Sequence, residues 1–72
     1  MRIRARIGNH WMPVAVRVEK IERDTAWVRV LALNEVWMIW RFGLLANLTP
    51  QSGVIPVLNP ADCQAILAAP LN

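Results

Sequence analysis

The chain is poor in the residue types that most often carry chemistry. Its 72 residues include one cysteine, one histidine, three glycines and no tyrosine, and Ser52 is the only serine. One cysteine excludes an intramolecular disulfide and a cysteine-rich metal site, and isolated glycines exclude a glycine-rich phosphate loop. We therefore expect a protein that is not an enzyme and that uses no cofactor, metal or small-molecule substrate. An enzyme stays an alternative only if a symmetric oligomer builds a site shared between subunits.

Long hydrophobic runs and blocks of like charge are also missing. No stretch approaches the roughly 18 consecutive apolar residues of a transmembrane helix. No apolar segment of the signal-peptide kind follows the charged start at Arg2 and Arg4. Together with a lone cysteine, which suits a reducing compartment, this pattern predicts a cytoplasmic protein without a membrane partner. The net charge of +3 permits an anionic partner but is too small to demand one.

The residues that are present are mostly apolar. Hydrophobic residues make up 56% of the chain, and four of them are tryptophans. This composition is far from that of disordered chains and predicts one small folded domain over residues 1–72.

Alternating side chains predict short antiparallel strands in the first part of the chain. Residues 2–7 alternate strictly, with isoleucine and alanine on one side and arginine on the other. A second strand over 14–22 keeps Val18 and Ile21 on one face only if a β-bulge lies near Glu19 and Lys20. A turn at 23–24 then leads into a hairpin.

The hairpin, over residues 25–42, is the most informative segment because both of its faces are apolar. With a turn at Asn34 and Glu35, Val30 lies opposite Ile39 and Ala32 lies opposite Trp37. The alternative is a loop longer by one or two residues, because Glu35 is a poor second turn residue. A sheet with one face in water alternates apolar and polar residues, so the second face of this hairpin requires a cover.

Two further elements are predicted after the hairpin. Residues 43–48 have the composition of a single helical turn. Residues 54–58 are predicted as a last short strand, which must lie at a sheet edge because Pro56 cannot donate a ladder hydrogen bond.

The tail has the clearest local signature. Asn59 is a good N-cap, Pro60 suits the first helical position and Asp62 suits the first turn, so a helix is predicted to about Ala69, before Pro70. Four or five strands and this helix make a mainly β fold. The expected architecture is a small curled antiparallel meander of the SH3-like barrel type, which by itself implies no function.

A candidate protein interface follows from the choice of core face. The apolar residues of the second and third strands indicate the core side: Val14, Val16, Val18, Ile21, Val28 and Val30. The opposite face of the hairpin carries Trp27, Arg29, Leu31, Met38 and Trp40, and Arg29 across from Trp40 is placed to stack on its ring. The alternative is that the C-terminal helix covers this face as a second core.

A candidate phosphate-binding row lies on the first strand. Arg2, Arg4 and Arg6 are about 7 Å apart along one strand face, a spacing similar to that of phosphates along one nucleic-acid strand. Arg17 and Lys20 on the neighbouring strand widen the patch. The alternative is a solvated face whose charges protect an edge strand from aggregation.

The remaining titratable residues suggest little chemistry. Cys63 lies in the first turn of the predicted helix, where the helix dipole lowers a thiol pKa, but we expect a packed cysteine rather than a pair with His10. The acids at turns and strand ends are interpreted as solubilising charge: Glu19, Glu22, Asp24 and Glu35.

The sequence thus favours a small binding or regulatory protein that acts through protein–protein contacts. The apolar hairpin face suggests that it self-associates as a homo-oligomer. The alternative is a nucleic-acid-binding module, in which the arginine row contacts phosphates and Trp27 and Trp40 stack on bases.

Overall fold

Six antiparallel strands and one helix make up the fold, in a computed structural model that describes residues 1–69. The elements are β1 (Arg2–Ile7), β2 (His10–Glu22), β3 (Thr25–Val30), β4 (Glu35–Trp40), β5 (Gly43–Asn47), β6 (Val57–Leu58) and α1 (Pro60–Ala68). The first five strands follow one another as hairpins. The chain then returns to the start of the sheet, where β6 pairs with β1.

The sheet curls into a nearly closed barrel. Its strand order is β5-β4-β3-β2-β1-β6, so β5 and β6 are the two edges, and these edges lie close to each other. The predicted fold class is confirmed, with six strands instead of four or five. The last strand lies at an edge as expected, although only Val57 and Leu58 pair.

Local turn chemistry explains the first hairpins. Gly8 has a φ of 63° in the two-residue loop between β1 and β2, the conformation that glycine adopts at the first position of a type II′ turn. This tight turn lets β2 begin at His10, earlier than predicted. The predicted β-bulge is present, since the register shifts between Val18 and Lys20, and Ile21 lies opposite Ala26.

The register of the β3–β4 hairpin differs from the predicted one. Val30 pairs with Glu35 rather than Ile39, and the connecting loop spans residues 31–34, with Asn34 at a φ of 52°. The slip is four residues, an even number. Because side chains alternate with period two, each residue keeps its predicted face although its partner changes.

Residues 43–47 form an edge strand, so the predicted helical turn at 43–48 is wrong. Gly43 pairs with Trp40, and a register shift beside Ile39 accommodates the extra residue Leu45. A segment this short is too weak a helix former to resist pairing, which gives its backbone a ladder of hydrogen bonds with β4.

The core lies inside the curl of the sheet, on the predicted side of β2 and β3. Trp37 and Ile39 of β4 are fully buried there, and Cys63 and Ile66 place one face of α1 in the same cluster. The helix therefore packs inside the curl, and the alternative that it covers the outer hairpin face is wrong. Physically, the inner side of a curled sheet has an open end that an apolar helix face can fill.

The helix begins as the sequence predicts. The Asn59 side chain accepts hydrogen bonds from the backbone N–H groups of Ala61 and Asp62, with Pro60 at the first position. The last helical residue is Ala68, and Ala69 is the C-cap. The predicted stop at Pro70 lies outside the described residues.

Candidate protein interface on the outer face of the sheet

Three large apolar side chains lie together on the outer face of β3 and β4. Trp27 pairs with Met38. Trp40 lies two residues farther along β4, on the same face, opposite Thr25. All three are half-buried although they point away from the core. Alternation alone therefore placed these three side chains on the correct face of the sheet.

Leu31, the fourth apolar residue of the predicted interface, lies beside the cluster rather than within it. It is the first residue of the β3–β4 loop and remains 51% exposed. Its backbone N–H donates to the carbonyl oxygen of Ala15 at 3.1 Å, which ties the loop to β2. Leu31 therefore forms an exposed apolar rim of the outer face.

Arg29 does not lie across from Trp40, because the register change places it opposite Val36. Its guanidinium donates through Nε to a Glu19 carboxylate oxygen at 3.0 Å and through Nη1 to Oδ1 of Asn34 at 3.0 Å. The expected stacking on Trp40 is wrong. The Glu19 carboxylate competes better for the planar donor fork of the arginine.

Glu19 is the bulge residue of β2 and joins two arginines. Arg17 and Arg29 lie directly opposite each other, a repulsive arrangement for like charges. The Glu19 carboxylate bonds to Arg29 and also accepts from Nη2 of Arg17 at 3.3 Å. Hydrogen bonds from Arg29 and Arg17 lower the pKa of Glu19. The bulge thus places a carboxylate between two opposed arginines and offsets their repulsion.

The aromatic rings of the cluster contact their own flanking residues. The Lys20 ammonium lies 4.8 Å from the centroid of the Trp27 ring and 3.0 Å from the Glu22 carboxylate. Trp40 meets Phe42 edge to face, with ring centroids 4.8 Å apart. These contacts explain why both tryptophans are only half-exposed on an outer surface.

The arginine row of β1 is on the outer face as predicted, but its charges are not equivalent. Both the backbone N–H and Nε of Arg4 donate to Oδ2 of Asp62, at 2.8 and 3.2 Å. This pair joins the first turn of α1 to β1. Among the described residues, no ion pair engages Arg2 or Arg6, whereas Arg17 and Lys20 each contact a glutamate.

Sequence reasoning misplaced Glu35, which it assigned to the turn as solubilising charge. Glu35 is the first residue of β4 and is fully buried. One carboxylate oxygen accepts from Trp37 Nε1 and Asn47 Nδ2, at 3.1 and 3.0 Å. The other accepts from the backbone N–H groups of Gln51 and Ser52 and from the Ser52 hydroxyl, at 2.8 to 2.9 Å.

The Glu35 carboxylate stays ionised because every contact to it is a donor. The backbone N–H groups of Gln51 and Ser52 contribute most, and they lower the pKa of Glu35 to about 2 against the opposing effect of burial. The available signal was parity, since Glu35 alternates with Trp37 and Ile39 and so belongs to the inner face. Its role is to fasten the segment after β5 to the start of β4.

Cys63 and His10 do not form a pair. Cys63 is buried in the core, and His10 is exposed at the start of β2. Burial and the nearby Asp62 carboxylate raise the pKa of the Cys63 thiol to about 11, opposite to the dipole effect expected from the sequence. Cys63 is therefore a packed cysteine, as the sequence favoured.

The described residues offer little support for a metal site or a small-molecule site. Within residues 1–69, no three His, Cys, Asp or Glu side chains lie close enough to hold a metal ion. An open cavity of about 260 Å³ lies between the two sheet edges, lined by residues 42–44 and 56–58. It is smaller than the roughly 300–1,000 Å³ of typical small-molecule sites.

Comparison with known proteins does not identify a family for this chain. Over the described part of the chain, no helix has the length and apolar character needed to cross a membrane. Searches of protein-family models, curated proteins and solved structures found no match to this chain.

Proposed function

We propose that this chain is a small non-enzymatic binding protein that acts through protein–protein contacts and self-associates through the outer face of β3 and β4. The observation that carries the proposal is the open cluster of Trp27, Met38 and Trp40. The helix packs on the other side of the sheet and leaves these rings half-exposed. Aromatic and methionine side chains are enriched in protein interfaces.

Charge favours a second copy as the partner. The apolar cluster is bordered by both signs, with Lys20 beside Glu22 and Arg29 beside Glu19. In a twofold dimer the same patch meets itself, so a border of one sign would repel its copy. A mixed border instead allows each cation to face an acid of the partner.

The available area is consistent with a weak, reversible dimer. The molecule measures 29 × 22 × 19 Å, so its broadest face covers roughly 640 Å² (29 × 22). Two whole faces together amount to roughly 1,280 Å² (2 × 640), just above the lower end of standard interfaces, which bury about 1,200–2,000 Å² in total, and the β3–β4 patch is only part of one face. We therefore expect dissociation in the micromolar range or weaker.

The supporting features of the rest of the chain fit the same role. The one thiol is buried and the one imidazole is exposed, so Cys63 and His10 do not form a nucleophile–base pair. A single reduced cysteine also supports a cytoplasmic location for the protein.

Sedimentation equilibrium from low micromolar to millimolar concentration tests the proposal. The wild-type mass should rise toward twice 8.2 kDa, and Trp40→Glu and Leu31→Glu should hold it at the monomer value. The matched control is Ile55→Glu, which places the same charge at an apolar side chain that is 87% exposed outside this face. It should associate as the wild type does.

Two results would reject the self-association proposal. One is a wild-type protein that stays monomeric at millimolar concentration. The other is an Ile55→Glu variant that dissociates as fully as Trp40→Glu, which would place the interface elsewhere. Near-ultraviolet circular dichroism of each variant establishes that the barrel is still folded.

A further inference from the structure

An exposed tryptophan lies next to the unpaired arginines of β1, on a part of the outer face remote from the β3–β4 cluster. Trp11 is 51% exposed and pairs directly with Arg6 across the β1–β2 hairpin. Arg2 lies on the same side of β1 as Arg6, four residues away. That separation is about 13 Å along a strand.

The charges around Trp11 differ from those elsewhere on the sheet. Of the five cations that the sequence assigned to phosphate binding, Arg4, Arg17 and Lys20 each contact a carboxylate. Within residues 1–69, Arg2 and Arg6 are not engaged in any ion pair, and both are exposed. Arg23 and Arg41 also make no ion pair within residues 1–69, but both lie in turns. Among the strand residues, the cations without an ion pair are thus Arg2 and Arg6, on the β1 row that Trp11 borders.

We propose that Trp11, Arg6 and Arg2 form a binding site for single-stranded nucleic acid. A base stacks on the open indole face of Trp11, while the two guanidiniums contact phosphates along the strand. Stacking aromatics beside a basic row are the common means by which small β-barrels hold single strands. This site replaces the stacking role that the sequence assigned to Trp27 and Trp40, whose rings contact Lys20 and Phe42.

The single-stranded form is favoured over a duplex. A duplex keeps its bases stacked on one another, so an indole on a convex surface has no base face to meet. Two unpaired arginines also supply little of the phosphate neutralisation on which non-specific duplex binding depends. In a single strand, by contrast, an unstacked base can stack on the Trp11 ring while neighbouring phosphates contact the two arginines.

Fluorescence anisotropy of a labelled 12-nucleotide dT strand tests the site at 20 to 200 mM salt. Affinity should fall with salt, with a log–log slope of about −1.4 for two phosphates at 0.7 each. Arg6→Glu should weaken binding about tenfold, and Trp11→Ala should do the same through lost stacking. Trp11→Phe, which keeps an aromatic face, should recover most of the affinity.

The controls separate this site from general charge and from the proposed dimer face. Arg23→Glu makes the same charge change in the exposed β2–β3 turn and should leave affinity within about twofold, as should Trp40→Glu. The proposal is overturned by salt-independent or absent binding, by equal losses in Arg23→Glu and Arg6→Glu, or by tighter binding of the matching duplex. A monomeric wild type that still binds dT would remove the dimer proposal alone.

Discussion

The two faces of the β3–β4 hairpin invert the usual relation between polarity and burial. On the inner face, the Glu35 carboxylate is fully buried beside Trp37. On the outer face, Trp27, Met38 and Trp40 are half-exposed. Two tryptophans three residues apart on the same strand, Trp37 and Trp40, thus have different surroundings.

The difference shows what decides burial in a chain this small. A buried charge is tolerated because five donors from the chain meet it, and a buried group with its bonds satisfied costs little. An apolar surface stays open because one sheet and one short helix cannot cover both sides of themselves. The inner face is therefore fully packed, and the outer face stays partly exposed.

The largest contrast is expected between Trp37→Ala and Trp40→Ala. Emptying the buried Trp37 site should cost about 3–5 kcal/mol, enough to unfold much of a domain of this size. Trp40→Ala should cost about 1 kcal/mol, since half of the ring is already in water. Urea unfolding at low micromolar concentration measures both, with Trp37→Phe as a milder variant that still folds. Equal costs would show that the outer face is also part of the core.

The next effect concerns the buried carboxylate itself. Glu35→Gln keeps the shape but turns an acceptor oxygen into a donor facing the N–H groups of Gln51 and Ser52. We expect a loss of about 2–3 kcal/mol, or a melting temperature lower by about 10–20 °C. Amide hydrogen exchange of these two residues should accelerate well beyond that of β3. Unchanged exchange would show that Glu35 does not hold this segment.

The face on which each side chain of the hairpin lies could be predicted from alternation. The partners of those side chains could not, because they depend on tertiary contacts. An error of four residues in the hairpin register moved no side chain to the wrong face, because strand periodicity is two. For that reason the cluster of Trp27, Met38 and Trp40 was correct while the partners of Arg29 were wrong. Asn34 was correctly assigned to the turn, but the apolar Leu31 and Leu33 made the loop look like strand.

Contacts distant in sequence account for the remaining errors. Four of the five donors to Glu35 come from residues 47–52, and the partner of Arg4 is Asp62, 58 residues away. No local pattern indicates that such groups meet. The β5 strand was missed for a related reason, since pairing with β4 overrides the helical preference of its leucine and alanine.

A smaller and pH-dependent effect isolates the charge on Glu35. The folded pKa of about 2 lies below the ordinary value of 4.5. The stabilisation from ionised Glu35 is therefore complete above pH 4.5 and is lost as the pH falls toward 2. The difference in unfolding free energy between wild type and Glu35→Gln, measured by urea titration from pH 6 to 2, should shrink over this window. A constant difference would contradict an ionised, buried carboxylate.

The smallest effect is expected for the acid on the outer face, Glu19→Gln. Glu19 also accepts hydrogen bonds from arginines, but it does so at the surface, where water replaces lost contacts and screens the two opposed guanidiniums. The melting temperature should change little at 0.15 M salt and fall measurably only at low salt, where the repulsion between Arg17 and Arg29 is unscreened. The same conservative change thus has different effects on the two faces. Glu35→Gln should destabilise the protein at any salt concentration, whereas Glu19→Gln should destabilise it only at low salt. A large loss for Glu19→Gln at high salt would mean that the outer network is as essential to the fold as the inner one.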